Sequence, residues 1–419
     1  MNKDAASSVL PKFEQQAREL GGNLRRVLNK IVTTVAGPAP RPTVFASALG
    51  IDKSVASMVV RATRAEDPLE VLHCSPAPNG LTKVVRAAEE QGVSPELCRQ
   101  AHASIREFEG LLNEFAGGRM DFEAALSDLI PGATDAGMKR ASQAAYRSMS
   151  YVLGYRADVT FSTSFIQPAA NGLRCDEAHI SGQLGLRLLR SSVPITLFVA
   201  GLDSSESVTP ESIAWECLNR EPLGGDFKRL ILPEFSSEDL PELKITETHT
   251  QRRLQLPAGG LTVNQPIDIV QTILLRNGHL RYRTPPENFL SCYKMQHACR
   301  VMVMDVFLHE DVCPGAEQET ITRAWIPGPP LPDFDREDFA IDAVPAPVDQ
   351  SEFAQGLAHV GIVDIPRYSE MIDNVLGQLG WDRSRFRGYR LRCRYPLPFV
   401  TYGQLFKLPE PPADLDSEQ

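Results

Sequence analysis

Apolar positions along this chain change period partway. Over residues 8–35, Leu10, Phe13, Ala17, Leu20, Leu24, Val27 and Ile31 recur three or four apart, a single stripe on an amphipathic helix. Gly21-Gly22 interrupts that stripe and argues against one unbroken helix. The stretch Ala36 to Pro42, AGPAPRP, then ends it as a stiff connector. The stripe reads as a face that packs on the next helices of the chain, with a dimer seam as the alternative. Residues 66–153 stay helical. SPAPNG (Ser75 to Gly80) opens a helix that Gly92 closes, and Ser94-Pro95 starts the next in N-cap and first-turn order. That helix carries Leu97, Ala101, Ile105, Phe108, Leu111, Leu112 and Phe115 on one face. A short helix over 121–129 comes next, and a last one runs from Asp135 to a stop at Gly154.

After Gly154 the period becomes two. Val159, Phe161, Thr163 and Phe165 alternate with Asp158, Thr160, Ser162 and Ser164, which predicts a half-buried strand. Further strands are expected at 194–200, 228–233, 243–256, 267–275, 279–283, 299–308, 320–325 and 388–395. Helices are expected at about 209–219 and 365–379. PGPPLP (Pro327 to Pro332) reads as a surface connector. The pattern is α+β: an all-α head and helical segment, then a larger, strand-rich mixed body. The expected divisions are a head over 1–75, a helical segment over 76–154, a body over 155–408 and a disordered acidic tail over 409–419.

The stretch from Pro42 to Arg61, PTVFASALGIDKSVASMVVR, organises the head. It predicts one helix over about Thr43 to Leu49 and a second, capped by Asp52, to about Arg64. Phe45, Leu49, Ile51, Ala56 and Val59 are spaced to lock the two in a V, with the small Ala46 at their crossing. Gly50 supplies a turn residue that tolerates positive φ. These residues, with Ser57 near the middle of the second helix, resemble the helix-turn-helix of bacterial transcription regulators over about 20 of 419 residues. The resemblance implies that the second helix reads a major groove of double-stranded DNA. Lys53 would then meet guanine acceptors, Ser54 and Ser57 base or phosphate, and Met58 a thymine methyl. Arg61 and Arg64, with Arg41, would hold phosphates. DNA geometry also implies a homodimer with its two reading helices one turn apart. A plain structural α-hairpin is the alternative. No alternating wing succeeds Arg64.

Charge sharpens this picture. The net charge is −10, yet residues 1–65 hold ten basic side chains against four acidic ones, +6, which leaves −16 for the rest. A basic head on an acidic body suits a DNA-reading module joined to a part that avoids DNA. With 42% hydrophobic and 23% charged residues, the composition is that of a globular chain. No run of 18 apolar residues suggests a membrane span, and the first residues lack the apolar core of a secretion signal. Eight cysteines without a CxxC pair point to reduced thiols and a cytoplasmic setting.

Candidate chemistry is sparse. No GxSxG, GxxxxGK[ST], HExxH or dinucleotide loop is present, and LPAGGLT (Leu256 to Thr262) lacks the fingerprint. Cys292, His297 and Cys299 match no zinc spacing, so neither a metal nor a cofactor is expected. His309, Glu310 and Asp311 read as a turn after a strand, and His179 near Asp176 and Glu177 lacks a base-forming constellation. A second basic concentration spans Arg383 to Arg394. Strand alternation puts Arg390, Arg392 and Arg394 on one face, where they would bind an anionic effector or a nucleic-acid backbone. The alternative is a solvated face whose arginines pair with the acidic body. The expectation is a non-enzymatic DNA-binding transcriptional regulator whose body senses a small-molecule effector or mediates assembly. An enzyme with a scaffold head and an interaction protein are the other two readings.

Overall fold

A computed structural model describes residues 3–115, 118–127, 129–130, 133–201, 214–248, 251–283, 289–315, 318–324, 344, 346 and 348–412. The chain forms two compact units, Met1–Gly137 and Met138–Gln419. The first is helical: α1 (Lys3–Ala36), α2 (Pro42–Leu49), α3 (Lys53–Arg64), α4 (Pro68–Cys74), α5 (Pro78–Glu90), α6 (Pro95–Asn113) and α7 (Arg119–Ser127). The next helix, α8 (Ala133–Leu153), contains the boundary. A separate helical segment from residue 76 does not form. Leu24 of α1, Phe45 of α2, Val59 of α3, Val85 of α5, Phe108 of α6 and Phe122 of α7 share one buried core. None of these amphipathic helices covers its apolar face alone, so the break falls where that core ends.

The helix α1 is unbroken through Gly21-Gly22, contrary to the sequence expectation. The reason is a close approach. A Cβ added at Gly21 would lie 1.9 Å from the Pro68 carbonyl oxygen, whereas one at Gly22 would meet nothing within 4 Å. Gly21 lets α1 lie against the start of α4 and is not a helix stop.

The second unit is built on a seven-stranded sheet. Its strands are β1 (Tyr155–Pro168), β2 (Arg174–Leu188), β4 (Ala214–Glu216), β7 (Ile267–Leu280), β9 (Cys299–His309), β11 (Val348–Phe353) and β12 (Phe386–Arg394). They lie in the order β11-β12-β9-β1-β2-β7-β4. The pairing is antiparallel except at the centre, where β1 and β9 run parallel. Two three-stranded sheets complete the unit. One pairs β10 (Gln318–Ala324), β13 (Val400–Phe406) and β8 (Phe289–Lys294); the other pairs β3 (Ile195–Gly201), β6 (Gln251–Leu256) and β5 (Lys244–Glu247). The helix α9 (Tyr368–Leu379) packs Ile372 and Val375 with Phe161, Phe165 and Phe307 of the large sheet. Phe406 of β13 packs with Met304, Val306 and Leu391 in a separate cluster. The α+β architecture expected from the sequence is the one observed.

Several local expectations change. The strand over 158–165 is buried on both sides, with Thr160, Ser162, Thr163 and Ser164 all below 5% exposure. The alternation reports two covered faces of different polarity. Residues 228–233 form no strand. Asp226 caps a 3-10 turn over Phe227–Leu230 instead, and Pro233 brings no N–H to a ladder. Residues 243–256 fold as the paired strands β5 and β6, and 267–280 form the single strand β7. Residues 214–216 of the helix expected near 209–219 are strand β4, while 202–213, Pro327 to Pro332 and 413–419 lie outside the described residues. The start of the expected tail is tied down, since the Arg283 N–H donates to the Pro409 carbonyl.

Candidate functional site

The two hairpin helices form as their sequence dictates. Pro42 opens α2, where its missing N–H costs nothing. Gly50 closes it in the left-handed region at φ 64°. Asp52 then accepts the Ser54 backbone N–H at 2.7 Å and the Ser54 hydroxyl, capping α3. Those bonds hold its carboxyl below the usual range. Phe45, Ala46, Leu49, Ala56, Val59 and Val60 are buried, with Ile51 and Val55 partly so.

What remains outside is the proposed reading face. Lys53, Ser54, Ser57 and Arg61 are exposed and Met58 is half-buried. Arg64 donates to the Pro40 carbonyl at 2.8 Å, which fastens the end of α3 to the connector carrying the exposed Arg41. Arg25 of α1 reaches the carbonyls of Thr63 and Glu66 and adds a cation at that end. Among the described residues, none of Arg41, Lys53, Arg61 and Arg64 makes an ion pair. Ser54 is committed to the cap, so its hydroxyl proton is not available to a base.

The arginines of β12 are placed differently from the expectation. Arg390 is buried. Its Nε and a terminal nitrogen donate to Asp305 at 2.8 and 2.6 Å, and it also reaches the Val360 carbonyl. Tyr368 donates to the same carboxylate at 2.6 Å and meets the Thr163 hydroxyl at 2.7 Å. Burial pushes the Asp305 carboxyl upward, and Arg390 pulls it back. Arg392 forks onto Asp364 at 2.7 and 3.1 Å. Of the three, Arg394 alone is exposed. The trio does not form an anion site, because two of its members are spent on carboxylates of the same unit.

His309, Glu310 and Asp311 lie close enough together for their ligand atoms to fall within 4.8 Å. Arg385 occupies both acids, at 2.6 Å to Glu310 and 3.1 Å to Asp311, so the group is a turn whose acids are already engaged. Cys292 is exposed, whereas His297 and Cys299 are buried, and the Tyr155 hydroxyl meets His297 Nδ1 at 3.0 Å.

A feature absent from the sequence reading lies on one face of β1, β2 and β7. The register sets Ser164 beside His179, and Ser181 beside both Ser162 and Gln271. The Ser164 hydroxyl donates to Glu177 and contacts His179 Nδ1 at 3.2 Å, while His279 Nε2 lies 2.7 Å from the other Glu177 oxygen. Burial alone would raise the Glu177 carboxyl. The two histidines more than offset it and hold it well below its usual range. His179, Ser181 and Gln183 of β2 and Gln271 of β7 then open on a pocket of about 210 Å³, closed by β3 and residues 293–297. The signal was the polar side of β2, Glu177-His179-Ser181-Gln183, which alternates with Ala178 and Ile180 but is too hydrophilic to read as strand.

Neither a protein-family model, nor a curated protein, nor a solved structure matches the chain.

Proposed function

We propose that the chain is a DNA-binding transcriptional regulator: the head reads DNA through α3, and the body senses a small-molecule effector. The observation that carries this reading is the unpaired charge around the hairpin. Arg41, Lys53, Arg61 and Arg64 are solvent-facing cations without carboxylate partners among the described residues. Residues 1–65, which carry them, hold ten basic side chains against four acidic ones in a chain of net charge −10, and these four cations stay unneutralised. A phosphate backbone supplies the missing counter-charge. Lys53, Ser57 and Met58 lie on the N-terminal half of α3, the part that meets base edges when such a helix enters a major groove. A symmetric dimer would present two such helices to successive turns.

Fluorescence anisotropy of the full chain with mixed-sequence duplex DNA across a salt series tests it. Binding should weaken steeply with salt. Lys53→Ala and Arg61→Ala should each lower affinity and flatten the log–log salt slope by about 1. A folded protein that ignores duplex DNA at low salt would sink the reading.

A further inference from the structure

Two side chains that line the pocket beside β2 carry buried polar atoms that no described residue satisfies. Gln183 is 7% exposed, and its Oε1 is buried without a hydrogen-bond partner. Gln271 Oε1 is buried and unpartnered as well. The orientation of that amide is fixed. Its Nε2 donates to the Leu197 carbonyl at 3.0 Å and to the Ser181 hydroxyl at 3.1 Å, so the oxygen is the atom left over. A buried acceptor without a donor is costly, and two such acceptors on side chains that line one pocket ask for donors beyond the described residues.

The rest of the lining narrows what brings those donors. Ser181 and Thr196 each accept an amide N–H, from Gln271 and from Gln255, which leaves both hydroxyl protons to donate. His297 is neutral near pH 7, since burial lowers it to about 4. Leu197 and Phe198 add apolar wall. Among the described lining residues there is no carboxylate and no arginine; besides His297, the groups able to carry charge are His179, turned toward Ser164 and Glu177, and Lys294, exposed at the rim. An ionised ligand would find no buried counter-charge. A ligand whose groups both donate and accept, with an apolar face, matches every wall. The volume of about 210 Å³ is below the roughly 300–1,000 Å³ of sites for drug-sized ligands, yet room for several waters.

We propose that this pocket binds a small, neutral, polyhydroxylated ligand of monosaccharide size, whose hydroxyls donate to Gln183 Oε1 and Gln271 Oε1. The ligand's hydroxyls would supply the donors those two oxygens lack, while its carbon face covers Phe198. Its role as the regulator's effector rests on the DNA-binding reading above; its seat in the pocket does not.

Saturation-transfer NMR and calorimetry on the full chain test the seat, with D-glucose, D-galactose, D-ribose and myo-inositol as probes and glutamate and adenosine as comparators. At least one neutral polyol should bind, and Gln183→Leu and Gln271→Leu should each weaken it tenfold or more. Gln183→Leu should also leave the melting temperature unchanged or raised, because it removes an acceptor that no donor satisfies. The proposal fails if the folded wild type binds none of the four polyols, which would leave the pocket holding water only. It fails equally if glutamate or adenosine binds instead, if both variants still bind the polyol, or if Gln183→Leu lowers the melting temperature. DNA anisotropy with and without the bound polyol is read separately, so loss of the DNA reading leaves the pocket result standing.

Discussion

The helical unit and the sheet unit hold their charges in opposite ways. Among the described residues, the buried ionisable groups other than thiols and phenols are Asp176, His297, Asp305, His309 and Arg390, all in the sheet unit. The helical unit buries an almost wholly apolar core and leaves its hairpin cations outside. The cause is architectural. A helix satisfies its own backbone and exposes one side, so charged residues stay wet. A sheet covered on both faces traps polar side chains, and these survive only with partners, as Arg390 does with Asp305. Arginine in a sequence is therefore a poor guide to an interface until its carboxylates are located. Arg390 and Arg392 of β12 look like an anion site and are internal ties, while Arg41, Lys53, Arg61 and Arg64 near α3 make no ion pair among the described residues.

Removing one side of an internal tie should have the largest effect. Arg390→Ala strands the Asp305 carboxylate in the core and should cost the sheet unit about 3–5 kcal/mol in urea unfolding. The double variant Arg390→Met with Asp305→Leu should recover much of that. A loss no larger than that of a surface pair would mean that Arg390 and Asp305 are not buried in solution.

Acid should separate the units next. His297 binds a proton at about pH 4 when folded and near 6.5 when unfolded, so between those values proton uptake favours the unfolded chain. Stability of the sheet unit is full above 6.5 and falls as pH drops toward 4, with this group contributing on the order of 3 kcal/mol. Denaturation midpoints at pH 7 and pH 4.5, in wild type and His297→Asn, check it. A pH dependence unchanged in the variant would remove His297 as the cause.

The helical unit should answer instead to shape, with two neighbouring glycines giving opposite signs. Gly21→Ala drives a Cβ onto the Pro68 carbonyl and should cost about 1–3 kcal/mol despite better helix propensity. Gly22→Ala meets open space and should gain about 0.5–1 kcal/mol. Thermal melts of the two single variants decide it; equal shifts would mean that α1 and α4 do not touch at Gly21.

Where local chemistry decides, the sequence was legible. The Asp52 cap, the Gly50 turn, the Ser94-Pro95 helix start and the strand over 299–308 are set by neighbours in the chain. Tertiary causes were hidden. Nothing near Gly21 reveals that Pro68 will lie against it, and nothing near Arg390 reveals Asp305, 85 residues away. The pocket was hidden for a further reason. Gln183 and Gln271 sit on separate strands, and only their register brings the two side chains to the wall of one pocket.

The parallel pair at the centre of the large sheet has a consequence for synthesis. The strand β1 cannot find β9 until the ribosome has passed His309, and β12 cannot close the outer side until after Arg394. All residues of the helical unit have emerged by Gly137. The nascent chain therefore carries a complete helical head while its sheet half is still a string of unpaired edges, open to aggregation and to chaperones. With β1 and β9 more than a hundred residues apart, the last steps of assembly are slow, non-local pairings.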